Sequence, residues 1–193
     1  MRARRAGLTL ERGMSDRTLS VSSFGHILRA PIERVDIADW LSHLQTAEYQ
    51  RCCPSEHIAC GATTTERGEP MWINVELIGD SLLIQHYLGE ITDIHHCRMV
   101  STSDVFSPQG RTTWHVVWDL SVEQLDDQNC EYVNQLTATA TDEFLAFINE
   151  SGIPLDRAAA ARHAASSAHN EKETPLFAQS IERRALVGTR FPQ

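Results

Sequence analysis

A single histidine, His86, interrupts an otherwise apolar row that has the two-residue period of a β-strand. The row reads Leu82, Ile84, His86 and Leu88, and alternate residues of a strand point to the same face. If this face lines a cavity, the imidazole can bond a ligand carbonyl and act as an acid or base near neutral pH. If the row faces outward, His86 is an ordinary surface or inter-strand residue. We predict His86 as the catalytic candidate.

Strand residues with aromatic, apolar and amide side chains are the candidates for holding a ligand. Trp114 and Trp118 share one face of the most regular alternating segment, where they could form core or pocket wall. Tyr132 and Asn134 bring polar groups to a face that is otherwise apolar. The predicted ligand-binding residues are Ile73, Ile84, Trp114, Trp118, Tyr132 and Asn134.

A carboxylate inside a strand, Glu76, offers a second route to acid–base chemistry. Burial disfavours the charged form and raises the pKa of a carboxyl group, so a buried Glu76 could serve as a general base. On the solvent face of its strand it would be an unremarkable surface charge. The sequence leaves both readings of Glu76 open.

Cysteines and histidines cluster in two short segments that could be read as metal-binding. The soft donors are Cys52, Cys53, His57, Cys60, His95, His96 and Cys97. Structural zinc sites use such groups in tetrahedral sets. However, adjacent cysteines suit one ion poorly, no Cys-x-x-Cys pair occurs, and His95 and His96 must point to opposite faces if they lie in a strand. We therefore predict no metal site and no cofactor.

The charge balance excludes several classes of partner. Lys and Arg number 17 and Asp and Glu number 26, which gives a formal net charge of −9. This argues against binding nucleic acid or an anionic membrane through a basic face. No apolar run approaches the roughly 20 residues that cross a bilayer. An odd number of cysteines and no recognisable secretion signal predict free thiols and a cytoplasmic location.

The elements that must position these residues follow from the change in hydrophobic period. Residues 31–44 have helical spacing, and Pro31 suits the first turn of a helix. Residues 56–139 then read as one strand after another, with turn signals such as Gly79-Asp80 between them. Helical patterns return from Thr141, which resembles an N-cap. Strands joined by short turns imply an antiparallel sheet in an α+β domain.

Residues 25–44, GHILRAPIERVDIADWLSHL, give this pattern a resemblance to a known family. The segment resembles the opening of the START-related, Bet v 1-like helix-grip (SRPBCC, polyketide cyclase-like) superfamily. Members often begin with a strand that ends in an Ala-Pro step, followed by a short helix with a Trp-Leu pair. The resemblance extends over about residues 19–152. The Cys-x-His and Cys-x-x-His pairs of the Rieske oxygenase relatives do not occur in this chain.

The resemblance implies a fold but no single activity. It predicts a curved antiparallel sheet of about six to seven strands gripping a C-terminal helix, with an apolar pocket between them. We expect a disordered tail over 1–18, the helix-grip domain over 19–152 and an extra helical C-terminal extension over 153–193. The closing helix is expected to begin near Thr141 and to break at Gly152.

Three functions are compatible with this reading. The first is binding of a small hydrophobic molecule in the cavity between sheet and helix. The second is an enzyme of the cyclase, dehydratase or isomerase kind that uses a pocket histidine or carboxyl group as acid or base. The third is a structural protein that forms a homodimer through its C-terminal helices. The ligand is not encoded in any motif that the sequence contains.

Overall fold

The computed structural model describes residues 17–187 as an antiparallel sheet covered by helices on one side. The strands are β1 (Thr18–Leu28), β2 (His57–Thr64), β3 (Pro70–Ile78), β4 (Ser81–Asp93), β5 (His96–Ser107), β6 (Gly110–Gln124) and β7 (Cys130–Ala140). The helices are α1 (Ile37–Ser42), α2 (Thr46–Cys52), α3 (Asp142–Glu150) and α4 (Leu155–Val187), with a 3-10 turn at Ile32–Arg34. The expected disordered tail lies outside the described residues except at its end, where Thr18 already starts β1.

The sheet is an almost continuous series of hairpins. Its seven strands are ordered β1-β7-β6-β5-β4-β3-β2, and all neighbours are antiparallel. Register shifts interrupt the pairing of β1, β2 and β4, and such bulges bend a strand and increase its twist. The result is the predicted α+β class: a curved antiparallel sheet that grips a long C-terminal helix.

The turn between β3 and β4 shows how local sequence sets the register. Ile78 pairs with Ser81 across the two-residue connection Gly79-Asp80. Gly79 has a φ of 65°, which glycine adopts without the steric cost that a side chain would add. This agrees with the turn that the sequence predicted.

The helix in the gripping position is α4, which differs from the expectation. Thr141 does cap a helix, since its side chain accepts a hydrogen bond from the Phe144 N–H at 3.0 Å. That helix, α3, is short and ends before Gly152. The long helix that lies against the sheet begins at Leu155, within the segment that we had assigned to an extension.

Helix α4 belongs to the core of the domain rather than to an appendage. Phe177 and Ile181 are buried in the same apolar cluster as the sheet residues. Pro175 lies inside the helix. Proline cannot donate a backbone hydrogen bond, and the Thr174 hydroxyl donates to the Asn170 carbonyl at 2.6 Å next to it. Burial of the apolar face keeps the helix continuous through the proline.

The space between sheet and α4 is more polar than the predicted apolar pocket. The apolar part of the core includes Trp40, Leu83, Trp118 and Phe177. Polar and charged side chains are buried beside it, namely Asn74, Glu76, Gln85, Ser101, Ser103, Asn134, Arg162, Ser166, His169, Asn170, Glu173 and Thr174. Buried polar groups are costly unless they have partners, so this inner layer is the natural place to look for a site.

All five cysteines are free thiols. Among the described residues, no helix is long and apolar enough to cross a membrane.

Candidate functional site

The predicted catalytic residue, His86, lies on the outer face of β4. Its neighbours Gln85 and Tyr87 are buried, whereas His86 is only half-buried, and adjacent residues of a strand point to opposite faces. Ile73 and Ile84 are half-buried in the same way, on the face opposite to Asn74 and Gln85. The choice of face was therefore wrong for β3 and β4, because both faces of these strands carry apolar residues and the pattern favoured the more regular row.

The other four predicted ligand-binding residues point inward. Trp114, Trp118, Tyr132 and Asn134 are all buried. The indole N–H of Trp118 donates to the Asn134 side-chain oxygen at 2.9 Å. The Asn134 amide in turn donates to Glu173 of α4 at 3.0 Å. These side chains therefore connect the sheet to a charged group on the gripping helix.

Two histidines and two glutamates meet where that helix crosses the sheet. His57 begins β2, Glu76 lies in β3, and His169 and Glu173 are one turn apart on α4. Their exposed fractions are 4%, 5%, 2% and 3% respectively. We call these four residues the His–Glu cluster. Residues separated by four positions share a helix face, which explains why both α4 members reach the same point.

The contacts within the His–Glu cluster join its imidazoles to its carboxylates. His57 Nε2 lies 3.0 Å from Glu173 Oε2 and 4.0 Å from Glu76 Oε1. His169 Nε2 lies 3.3 Å from Glu173 Oε2 and 3.9 Å from Glu76 Oε2. One donor atom from each residue lies within 4.8 Å of all the others. The four groups could therefore hold a metal ion or share protons.

Residues around the cluster fix the orientation of its members. His57 Nδ1 lies 2.8 Å from the Tyr49 carbonyl oxygen, and the Tyr49 hydroxyl donates to Glu76. His169 Nδ1 lies 2.6 Å from Glu56 Oε2. Tyr49 also stacks on the His57 ring at 3.8 Å between centroids. Helix α2 and the loop after it therefore orient the cluster together with α4, which they also contact through Tyr49–Phe177 and Glu56–Lys172.

The electrostatics of the cluster are dominated by its opposite charges. Burial by itself raises the pKa of Glu173, but the neighbouring His169 and His57 outweigh burial and lower it. Burial lowers the pKa of His169, but the charge of the adjacent Glu173 carboxylate, together with the contact between Cys53 and the ring, raises it overall. Burial, together with the charge of Glu76, raises the pKa of Tyr49 well above its ordinary value. Tyr49 is therefore a neutral hydrogen-bond donor to Glu76.

A second charged group, Arg162, lies further along the same face of α4. Its guanidinium carbon is 4.3 Å from the centre of the Trp114 ring, and 8% of the residue is exposed. Burial lowers the pKa of Arg162 to about 10, so it remains a cation at neutral pH. In the part of the chain that the structure describes, Arg162 forms no ion pair and its Nε–H has no acceptor.

The sequence pointed to only part of this site. We had weighed Glu76 as a buried base and His57 as a metal ligand without joining them. His169, Glu173 and Arg162 were missed because the Ala-rich segment was read as an extension. One signal was available: a histidine and a glutamate four residues apart, in the segment HNEKE, share a face of any helix.

Two surface clefts lie away from the cluster. One of about 690 Å³ is bordered by Trp40, Glu48 and Arg183, between α1, α2 and the end of α4. The other, of about 490 Å³, is bordered by Gly25 and Glu182. Neither cleft is lined by Arg162 or by a member of the His–Glu cluster.

Comparison with solved structures identifies the fold. No family model matches the sequence. No curated protein matches it either. The chain has the helix-grip fold that the sequence predicted, and two solved aromatase/cyclase structures align over most of its length.

Two structures illustrate the likeness. The aromatase/cyclase Zhui from Streptomyces sp. R1128 aligns with a TM-score of 0.52 and 10% identity, covering 88% of this chain and 95% of its own. The di-domain ARO/CYC StfQ from the steffimycin biosynthetic pathway aligns with a TM-score of 0.54 and 13% identity, covering 87% of this chain and 53% of its own. At such low identity the likeness defines the fold alone.

Proposed function

We propose that this protein is an enzyme of the cyclase, dehydratase or isomerase kind. Its substrate would be a small organic molecule with an anionic or carbonyl oxygen, bound between the sheet and α4. The observation that carries the proposal is the placement of an unpaired, buried Arg162 on the same helix face as the His–Glu cluster. The names of the two fold neighbours, both aromatase/cyclases, lend support.

Arg162 is the group best suited to anchor a substrate. A buried cation without a partner is costly, and a guanidinium prefers to bind a carboxylate or similar oxygen group in a bidentate manner. The indole N–H of Trp114 and the hydroxyl of Ser166 are also buried without an acceptor in the described part of the chain. A ligand oxygen placed here would satisfy several donors together.

The spacing along α4 suits a substrate that reaches from Arg162 to the cluster. The two positions 162 and 169 are seven residues apart, which is about 10 Å along a helix. Trp118 and Tyr87, whose rings are 5.5 Å apart, provide apolar surface on the facing sheet. An anchored molecule with an apolar body would therefore present its far end to Glu76 and the histidines.

A carrier of purely hydrophobic molecules, our first reading of the sequence, is the weaker candidate. A hydrocarbon ligand would leave the Arg162 guanidinium and the Trp114 N–H without partners, at a cost of roughly 1–3 kcal/mol for each neutral donor and more for the charge. The surface cleft beside Trp40 is a second place where an apolar molecule could bind. Binding at that cleft is an outcome that the experiment below distinguishes.

The cluster is closed to solvent, so a substrate must open the domain to enter. Each of its four members is at least 95% buried. Enzymes commonly admit substrate by movement of a loop or helix that closes again over the site. We expect ligand binding to require separation of α2 or α4 from the sheet.

Matched ligands test the proposal directly. Thermal unfolding would be measured with 2-naphthoate, cinnamate and octanoate, and with the corresponding amides, for the natural protein and for Arg162→Met and Arg162→Lys. We expect the carboxylates to stabilise the natural protein, Arg162→Lys to bind more weakly, and Arg162→Met to respond equally to acids and amides. Arg157→Met, an exposed position one turn away on α4, is the matched control.

Two results would contradict the proposal. If no carboxylate stabilises the natural protein more than its amide, Arg162 does not anchor an anionic group. Arg162→Met could instead leave the preference for carboxylates over amides intact while Trp40→Ala removes it. The ligand would then bind in the surface cleft beside Trp40, and the carrier function would gain support.

A homodimer through the C-terminal helices and a cytoplasmic location remain proposals from the sequence. Light scattering of the full chain tests the first, and fractionation of source cells tests the second.

A further inference from the structure

We propose that His57, His169 and Glu173 bind a divalent first-row transition metal ion, and that Glu76 faces the same ion. The proposal deepens the function above and rests on it for what the ion would do, because a bound cation would polarise a substrate oxygen. Binding of the ion itself follows from the geometry of the His–Glu cluster and can be measured without a substrate.

The neighbours of His57 show which of its ring nitrogens carries the proton. Its Nδ1 lies 2.8 Å from the Tyr49 carbonyl oxygen, and a carbonyl oxygen can only accept, so Nδ1 carries the proton. The other nitrogen, Nε2, is then an acceptor when the ring is neutral. Nε2 lies 3.0 Å from Glu173 Oε2, which is also an acceptor. A positive charge, either a metal ion or a second proton on the ring, must therefore lie between Nε2 and Oε2.

His169, on α4, has the same pattern of neighbours as His57, in β2: an acceptor beside Nδ1 and carboxylates beside Nε2. Its Nδ1 lies 2.6 Å from Glu56 Oε2, an acceptor, so this nitrogen also carries the proton. Its Nε2 lies 3.3 Å from Glu173 Oε2 and 3.9 Å from Glu76 Oε2. Nε2 is buried and has no hydrogen-bond partner in the described part of the chain. When an ion rather than a second proton neutralises the carboxylates, both imidazoles aim unprotonated Nε2 atoms at Glu173 and Glu76.

The distances between these atoms suit ligands of a common ion. Metal–nitrogen and metal–oxygen bonds of about 2.0–2.2 Å place neighbouring ligands of a tetrahedron roughly 3.3–3.5 Å apart. The two imidazole–Glu173 distances are 3.0 and 3.3 Å. The Glu76 carboxylate oxygens lie farther away, at 3.9 Å from His169 Nε2 and 4.0 Å from His57 Nε2. His57, His169 and Glu173 are therefore the primary ligands, with Glu76 on the open side.

Each member also has the partner that orients a metal ligand. Metal-bound histidines almost always donate their other N–H to a carboxylate or backbone carbonyl, which is what Glu56 and the Tyr49 carbonyl accept here. Ligating carboxylates are hydrogen-bonded in turn. Asn134 donates to Glu173 at 3.0 Å, and the Tyr49 hydroxyl donates to Glu76. A set of salt bridges formed by chance would not need such a complete outer layer.

The donor atoms indicate the kind of ion. Two imidazole nitrogens with carboxylate oxygens suit zinc, iron(II), cobalt(II) or nickel(II) better than calcium or magnesium, which prefer oxygen ligands throughout. The nearest thiol, Cys53, has its sulfur 3.8 Å from His169 Nδ1, the nitrogen that faces away from the proposed ion. Cys53, His57 and His169 form an alternative three-residue group, but it contains no carboxylate and would use the His169 nitrogen that contacts Glu56.

The competing explanation is that protons on the histidines, rather than a metal ion, neutralise the carboxylates. If both histidines were doubly protonated, each could bridge two acceptors, and the cluster would be a purely structural ion-pair network. The two explanations differ in what the protein retains after purification and in its response to added metal.

The experiment measures metal content and binding on the full chain after removal of any affinity tag. Elemental analysis by mass spectrometry is followed by chelator treatment and titration with zinc sulfate and cobalt(II) chloride. We expect a stoichiometric amount of ion, and cobalt(II) absorption bands in the visible range whose intensity indicates four- or five-coordination. His57→Ala, His169→Ala and Glu173→Gln should each weaken binding by more than roughly 100-fold.

Controls separate ligand loss from misfolding. His163→Ala lies on the same helix and His86→Ala on the outer face of β4, and both should bind cobalt(II) as the natural protein does. Circular dichroism checks that every variant is folded, and Glu173→Gln, which nearly preserves side-chain shape, replaces any histidine variant that is not.

Several outcomes are decisive. A folded natural protein that neither retains nor binds zinc or cobalt(II) would overturn the metal site and leave the proton-filled network. Equal weakening in the His86→Ala control would have the same meaning, because binding would then be non-specific. If the ion binds but Arg162→Met does not alter carboxylate recognition, the metal site stands and the proposed substrate class fails.

Discussion

At the scale of single residues, the described interior holds the charged side chains of Glu76, Arg162 and Glu173. Most buried charged side chains in proteins are paired, and the His–Glu cluster obeys this rule. Arg162 does not: among residues 17–187 it forms no ion pair, its guanidinium lies on the Trp114 ring, and only the more distant Glu76 carboxylate attracts it. A cation–π contact contributes about 0.5–2 kcal/mol, which is less than the cost of burying an ion. Because the cation–π contact does not compensate for the burial of the Arg162 charge, we expect the ligand to carry an anionic group.

The hydrogen bond between Trp118 and Asn134 should contribute to stability. Replacing Trp118 with Phe leaves the Asn134 oxygen buried without its donor, so we expect the free energy of unfolding to fall by about 1–3 kcal/mol. Trp114→Phe is the control, because the indole N–H of Trp114 has no hydrogen-bond partner within residues 17–187. Urea denaturation of both variants measures the difference, and equal losses would show that ring volume rather than the hydrogen bond decides.

Tyr49 should affect the proposed ion through Glu76. Tyr49→Phe removes the hydroxyl that donates to Glu76 while keeping the ring stacked on His57. Loss of such an outer partner typically lowers metal affinity about 10–100-fold. Cobalt(II) titration would measure this, with Tyr87→Phe as the control. An unchanged affinity for Tyr49→Phe would mean that Glu76 does not contact the ion.

At the scale of elements, α4 decides whether the domain exists. A chain that stops after Gly152 lacks Phe177 and Ile181, and the sheet loses the apolar surface that covers it. We expect this shortened chain to be unfolded by circular dichroism, while one that ends at Val187 folds cooperatively. A stable, cooperative domain ending at Gly152 would instead support the separate C-terminal extension that the sequence suggested.

Helix α2 is tied to α4 by Glu48, which gives a pH-dependent contribution. Burial raises the pKa of Glu48, but hydrogen bonds from Ser180, Arg51 and Arg183 outweigh it and lower the pKa to about 2. An acid with a lowered folded-state pKa stabilises the fold above its ordinary pKa of 4.5, and this stabilisation disappears as pH falls towards 2.

Glu48→Gln measures that contribution. Because the Glu48–Arg183 ion pair is partly exposed, we expect Glu48→Gln to lower the free energy of unfolding by about 0.5–1 kcal/mol at pH 7. The difference in stability between the natural protein and the variant should shrink steadily below pH 4.5. Urea denaturation at a series of pH values gives the profile. A difference between the two proteins that stays constant with pH would show that Glu48 acts through packing.

At the scale of the whole molecule, an ion bound in the interior should stabilise the folded state. Binding to the native state alone adds about 2.7 kcal/mol when the free ion is at 100 times its dissociation constant. For a domain of this size, that corresponds to a rise in Tm of roughly 5–10 °C. Calorimetry of chelator-treated protein with and without zinc tests this. The same rise in His169→Ala would contradict binding in the cluster.

Local sequence patterns were enough to predict the plan of the fold. Strict alternation, the Gly79-Asp80 turn and the Thr141 cap are local signals, because each depends on backbone geometry over a few residues. They predicted the antiparallel sheet and the α+β class correctly, and residues 25–44 indicated the helix-grip fold. They also gave the inward orientation of Trp114 and Trp118, where one face of the strand is clearly more apolar than the other.

The location of the candidate site could not be predicted from local patterns, because it depends on contacts between distant parts of the chain. In β4 both faces are rich in apolar residues, so the pattern could not tell that Gln85 rather than His86 faces inward. The His–Glu cluster joins β2, β3 and α4, and its contacts span 116 positions between His57 and Glu173. No local rule relates residues so far apart in sequence. The curvature of the sheet and the path of α4 bring them together, and these depend on packing of the whole core.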